Sequence, residues 1–232
     1  LQNVKMTFDA SVQDEVSCIN LAKSQDKGAC VKEDGTCQFT TRETCNAQDL
    51  KLEQNATTLN PNFGFHSGML CSNPLLGTKC AAQQYTGCLP DQDGVYWFDS
   101  CGNPENIYSS NKQNSFNNGY ILDKEKSCKI NGAYDPSCGN CEFAAGTLCG
   151  NAPNNEKPSY GQYTCIDLNC PDITKEPTVH SSQTPKKLGE SWCAYDSLVG
   201  FGLDPVGSRH SRRLCINGQE LIEPCKDFRE EM

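Results

Sequence analysis

Val4, Met6, Phe8, Ala10 and Val12 alternate with Lys5, Thr7, Asp9 and Ser11 near the start of the chain. A period of two sets all five apolar side chains on one face and predicts a half-buried β-strand. It precedes the first cysteine, Cys18, so no disulfide lies wholly within it. Four turn pairs follow: Asp34-Gly35, Asp93-Gly94, Asn131-Gly132 and Asn217-Gly218. Such pairs suit type I′ hairpin turns, in which both central residues take positive φ. Three have strand-like flanks, at Thr36 to Phe39, Val95 to Phe98, and Leu214 to Ile216 against Glu220 to Ile222. Helical patterning is scarce. Thr40-Thr41-Arg42-Glu43 matches a capping box and predicts one short helix over about Glu43 to Leu50.

The expected fold is mainly β and disulfide-rich, with short hairpins and long loops in one or two modules. Ser109 to Gly119 is rich in Ser, Asn and Gln, and Pro171 to Lys187 in Pro, Thr, Ser and Lys; both read as linkers or long loops. The expected organisation is a strand arm over 1–17, a module over 18–108, a polar linker over 109–127 and a second module over 128–232. A short echo, Phe-x-x-Gly-x-Leu-Cys, occurs at Phe65–Cys71 and Phe143–Cys149.

Cysteine changes this picture most. Hydrophobic residues make up 36% of the 232, and seventeen of them are cysteines. Aliphatic and aromatic side chains can therefore build only small cores, and cross-links must offset the ordering entropy. The disulfide candidates are Cys18, Cys30, Cys37, Cys45, Cys71, Cys80, Cys88, Cys101, Cys128, Cys138, Cys141, Cys149, Cys165, Cys170, Cys193, Cys215 and Cys225. Thiols at this density belong to an oxidising compartment. Cutting at Ser109–Gly119 leaves eight cysteines before it and nine after, which places the unpaired one in the C-terminal half.

Cys138-Gly-Asn-Cys141 is the one CxxC pair. A zinc site needs two further ligands at matching spacing, and only His66, His180 and His210 exist. A thioredoxin-like site needs a βαβ frame that this sequence lacks. The pair reads as structural, each cysteine bonded to a different partner, since closing so small a ring strains a loop.

A chain beginning at Leu1 fits a processed, secreted protein, and Asn55-Ala56-Thr57 is a glycosylation sequon with Asn55 as acceptor. No run approaches the ~18 apolar residues of a membrane span. The net charge of -9 argues against nucleic acid or an anionic membrane as the main partner.

Catalytic patterns are weak. Gly189-Glu190-Ser191-Trp192-Cys193 resembles a nucleophile elbow without its final glycine. Asp91, Asp93 and Asp99 offer oxygen ligands for calcium, but the EF-hand pattern fails at its later positions. No catalytic residue, metal ligand or cofactor is assigned beyond that weak calcium signal, and the chain is expected not to be an enzyme. Arg209, His210, Arg212 and Arg213 concentrate positive charge in an acidic chain. If extended, Arg209, Ser211 and Arg213 share one face, a candidate docking patch for an acidic surface.

Five stretches in order, VYWFDSCGNPENIY from Val95, CGNCEFAAGTLC from Cys138, GESWC from Gly189, GSRH from Gly207 and EPCKDFREE from Glu223, carry a family likeness. From about Cys18 onward the chain resembles the cysteine-rich cell-surface proteins of small-genome archaea of the nanoarchaeal and woesearchaeal kind. The resemblance implies an extracellular, disulfide-knit surface protein without catalytic residues. The expectation is a structural subunit of a filament or coat, in which the strand Val4–Val12 adds to the sheet edge of a second copy. The alternative is a monomeric adhesin holding glycan or a cell surface through the hairpin around Trp97 or the arginine patch.

Overall fold

A computed structural model describes residues 14–49, 61–171, 185–195 and 210–224. Among these, small β-sheets dominate and α-helix is confined to three short segments. The fold is mainly β and disulfide-rich, as expected. The chain divides into two compact units, Leu1–Cys141 with Cys149–Cys165, and Glu142–Leu148 with Ile166–Met232. The assembly strand Val4, Met6, Phe8, Ala10 and Val12, the sequon at Asn55 and most of Pro171–Lys187 lie outside the described residues.

The first unit opens on α1 (Glu15–Ser24), which the hydrophobic pattern does not predict. Its signal is electrostatic: Glu15 in the first turn and Lys23 in the last oppose the helix dipole. β1 (Lys27–Val31) lies between β2 (Cys37–Thr41) and β3 (Gly64–Ser67), antiparallel to both. β1 is buried on both faces. Ala29 and Val31 pack with Cys37, Cys71, Leu76 and Cys80, while Cys30 points the other way and bonds Cys45 of α2 (Arg42–Asp49). At Gly28 a Cβ would lie 2.1 Å from the His66 carbonyl oxygen, so only glycine lets β1 and β3 meet there.

The helix expected from Glu43 is α2, and its cap sits one residue later than the capping-box match. The Thr41 hydroxyl accepts from Thr44 N at 3.3 Å, and Glu43 instead accepts from Gln25 Nε2 at 3.0 Å. Asp34-Gly35 joins β1 to β2 through a wider turn than type I′. Gly35 alone has positive φ, at 78°, and the Asp34 carboxylate accepts from Thr36 N (2.9 Å) and Thr36 Oγ1 (2.6 Å). These bonds hold its pKa below the ordinary value.

The second sheet runs β4 (Tyr85–Cys88), β5 (Val95–Phe98), β6 (Pro104–Ile107), with β4 at the edge. Val95 and Trp97 face inward, 0% and 1% exposed, and form a core with Tyr108, Cys141, Cys149 and Cys165. Tyr85 and Phe98, paired across the strands, lie on the opposite face.

The expected linker over 109–127 is instead part of this unit. It contains α3 (Lys112–Phe116), capped by Asn111 Oδ1 accepting from Asn114 N at 3.2 Å. Ser115 is buried and accepts from Gln83 Nε2 at 2.8 Å. Asn106 Nδ2 donates to the carbonyls of Ser115 and Tyr120, both at 2.9 Å. Asn73 Nδ2 donates to Gly119 O at 3.0 Å. Amide side chains here do what backbone ladders do elsewhere, so a polar segment is held as firmly as an apolar one.

β7 (Thr147–Asn151) and β8 (Tyr163–Asp167) form a two-stranded sheet, and the unit boundary falls within both strands. In the second unit β10 (His210–Ile216) lies between β9 (Ser191–Tyr195) and β11 (Gln219–Pro224), antiparallel to both. Asn217-Gly218 makes the expected type I′ turn, with φ of 50° and 75°.

Candidate functional site

Seven disulfides close among the described residues. In the first unit they are Cys30–Cys45, Cys37–Cys71, Cys80–Cys101, Cys88–Cys149, Cys128–Cys138 and Cys141–Cys165. The second holds Cys170–Cys215. The CxxC cysteines bond to different partners, as expected. Between them Gly139 presses against the sheet: Val95 N donates to Gly139 O at 2.8 Å and Gly139 N to Tyr108 O at 2.9 Å. A Cβ at 139 would come within 2.6 Å of Val95 Cβ. The motif clamps a loop to β5, and its two sulfurs are not paired with each other.

The expectation that the eight cysteines before Ser109 close among themselves is corrected: among the described residues Cys18, exposed on α1, is free. Counting on either side of residue 109 fails because Cys88 bonds Cys149 across that cut. Cys193 lies in β9, and Cys225 is outside the described residues.

Of the arginine patch, the side chains of Arg212 and Arg213 are among the described residues. Arg209 lies outside the described residues. In β10, Ser211 is buried, Arg212 is exposed, and Arg213 Nη1 pairs with Glu220 Oε1 at 2.9 Å with both side chains mostly covered. Arg213 is therefore spent within its own hairpin; His210 begins the strand. Ser191 sits on β9, exposed, in extended backbone and not in a strand-to-helix turn.

Asp91, Asp93 and Asp99 do not form a common cation site. Asp99 is fully buried and its carboxylate accepts from Cys101 N (2.9 Å), Asn103 N (2.8 Å) and Asn103 Nδ2 (2.9 Å). Cys80, Asp99 and Cys101 do bring three donor atoms within 4.8 Å of one another. Two of the three are joined in a disulfide and present no thiolate to a metal.

Trp97, singled out as a contact residue, is buried. Its ring packs against Tyr108 and Tyr160 at centroid distances of 5.4 and 5.6 Å, and Lys112 Nζ lies 4.7 Å from it and 4.6 Å from Tyr160. Beside this cluster, Glu105 accepts from the Ser72 hydroxyl and, at 2.7 Å, from Gln83 N. Burial pushes its carboxyl pKa up against the pull of these two bonds.

Two surfaces are open among the described residues. The first is β11, at the edge of its sheet with β10 as its neighbour among the described residues. Ile216, Leu221 and Ile222 are 38%, 45% and 59% exposed. In a two-residue hairpin Ile216 and Gln219 exchange hydrogen bonds, so Glu220 and Ile222 turn their peptide groups away from β10. Pro224, next in that series, has no N–H and ends the usable edge.

The second is a groove of about 1030 Å³ along the outer side of β4. One wall is Tyr85 and Phe98, stacked at 5.0 Å with planes 6° apart. The other comes from residues 151–163. Gly161, at φ 75°, lies directly on Thr86: a Cβ there would meet the Thr86 hydroxyl at 2.1 Å. Sequence reasoning missed this groove because Val95-Tyr-Trp-Phe98 is apolar on both faces, and nothing in it says which face turns inward.

The chain matches no known family model, no curated protein and no solved structure.

Proposed function

We propose that this is an extracellular structural protein whose copies join by strand addition. The observation that carries the reading is the edge position of β11 among the described residues, with the peptide groups of Glu220 and Ile222 turned away from β10 and apolar side chains flanking them. The donor is the alternating segment Val4 to Val12 of a second copy, whose one apolar face would lie beside Ile222. A donor and an acceptor on different parts of one chain give a heterologous contact, which propagates rather than closes.

Three further features support the reading. Seven disulfides suit an oxidising exterior. The five ordered motifs resemble those of archaeal surface proteins. Cys18, exposed and free, is available to bond a neighbouring copy.

Removing residues 1–12 tests the proposal. Native protein should sediment as higher assemblies and the truncated protein as a single 25 kDa-class species. Assemblies that persist unchanged after truncation overturn it.

A further inference from the structure

We propose that the groove along β4 is an oligosaccharide-binding site. This does not rest on strand addition, since the groove belongs to the first unit and β11 to the second.

Its chemistry is the argument. Tyr85 is half exposed and lies flat on Phe98, whose ring in turn covers Gly87; a Cβ at 87 would be 3.0 Å from Phe98 Cε2. The result is a level aromatic platform braced from beneath. The C–H face of a pyranose carries slight positive charge and is flat, which complements the electron-rich face of such a ring. Hydroxyls around the rim of the sugar then need donors and acceptors at the sides.

The facing wall supplies them. Asn151, Asn154, Gln162 and Lys157 line it and are exposed, with no side-chain hydrogen bond to other described residues. This contrasts with the interior of the same unit. There Asn73, Asn103 and Asn106 each commit their amides to main chain or carboxylate. The amides of the groove wall carry no such commitment among the described residues.

Charge narrows the ligand. The chain has 29 acidic residues, yet no Asp or Glu lines the groove, and its one charged side chain is Lys157. A cationic ligand finds no counter-charge; a neutral or acidic sugar meets no carboxylate in the groove lining. Volume narrows it further. Sites for small molecules run ~300–1,000 Å³, so about 1030 Å³ accommodates several linked sugar units. Finally, Cys88 at the end of β4 bonds Cys149 in β7, two residues before Asn151, and so ties the platform strand to the amide wall. A cleft held open in this way loses little entropy when a ligand enters.

The test uses the intact, disulfide-bonded chain with neutral trisaccharides of glucose, mannose and N-acetylglucosamine, and with trigalacturonate. Saturation-transfer NMR and calorimetry should find at least one binder. Tyr85→Ala should weaken it at least tenfold and Gln162→Ala severalfold, with the melting temperature unchanged for exposed Gln162→Ala and slightly lowered for Tyr85→Ala, which loses its stacking on Phe98. Lys157→Met should weaken trigalacturonate alone, separating an acidic ligand from a neutral one. Absence of binding across the panel overturns the proposal, as does binding insensitive to Tyr85→Ala. So does Tyr85-dependent capture of a peptide of residues 1–12 with no sugar bound, which would make the groove a strand acceptor. Loss of assembly on truncation leaves sugar binding untouched, so the two proposals fail separately.

Discussion

The two units of this protein solve the same shortage of apolar residues differently. In the first, half of each core cluster is cystine: Cys37, Cys71 and Cys80 among six buried residues in one, Cys141, Cys149 and Cys165 among six in the other. The same unit buries amides and carboxylates whose hydrogen bonds go to main chain and to one another. In the second unit the described residues show one disulfide, and a three-stranded sheet that leaves Ile216, Leu221 and Ile222 on the surface. Cross-linking thus frees the first unit from needing a large core and lets it display polar walls. Among its described residues the second keeps these apolar groups on the surface.

Breaking a staple in the first unit should have the largest effect. Cys88→Ala with Cys149→Ala opens a loop of sequence separation 61 and should cost about 4 kcal/mol, against about 3 kcal/mol for Cys128→Ala with Cys138→Ala at separation 10. Denaturant titration of the two variants under non-reducing conditions measures the difference. Equal losses would mean that chain entropy is not what these bonds supply.

Gly139→Ala comes next. Its new methyl meets Val95 Cβ and Tyr108 Cβ inside a packed cluster, and overpacking of this kind costs roughly 1–3 kcal/mol. A neutral result would show that the CxxC loop can lift off β5 without penalty.

A pH experiment sharpens the role of the polar interior. Burial raises the folded-state pKa of Glu105, so the native protein holds that proton more tightly than the unfolded chain does. Stability from this group is present below the unfolded value of about 4.3 and is lost as pH rises through the folded one. Glu105→Gln should flatten this part of the stability profile: its carbonyl still accepts from Gln83 N, and its amide donates to the Ser72 hydroxyl once that rotates. Asp135 acts in the opposite sense. Burial pushes its pKa up, but bonds from Ser137 and Asn131 outweigh this and hold it down, so its contribution disappears on acidification.

The smallest effect on folding is expected at β11. Ile222→Lys should shift monomer stability by no more than about 0.5 kcal/mol, as exposed positions do, while abolishing higher assemblies. A variant that still assembles would locate the contact elsewhere.

Local chemistry was readable directly. Asn217-Gly218 encodes its turn because two adjacent residues tolerate positive φ, a property that needs no distant neighbour. The cross-linked, mostly β character follows from composition, since a chain this poor in aliphatic side chains has few other ways to stay folded. Separate partners for Cys138 and Cys141 follow from ring strain. What sequence left open depends on distance in space. Cystine requires two Cα atoms about 5.5 Å apart, and only the packed chain brings Cys88 to Cys149 and leaves Cys18 alone. The same holds for Ser109 to Gly119, where polarity suggests a linker until buried amides find their main-chain partners. It holds for Val95 to Phe98, whose inward face was settled by Tyr108 and Tyr160 closing over Trp97 and leaving Tyr85 and Phe98 to the groove.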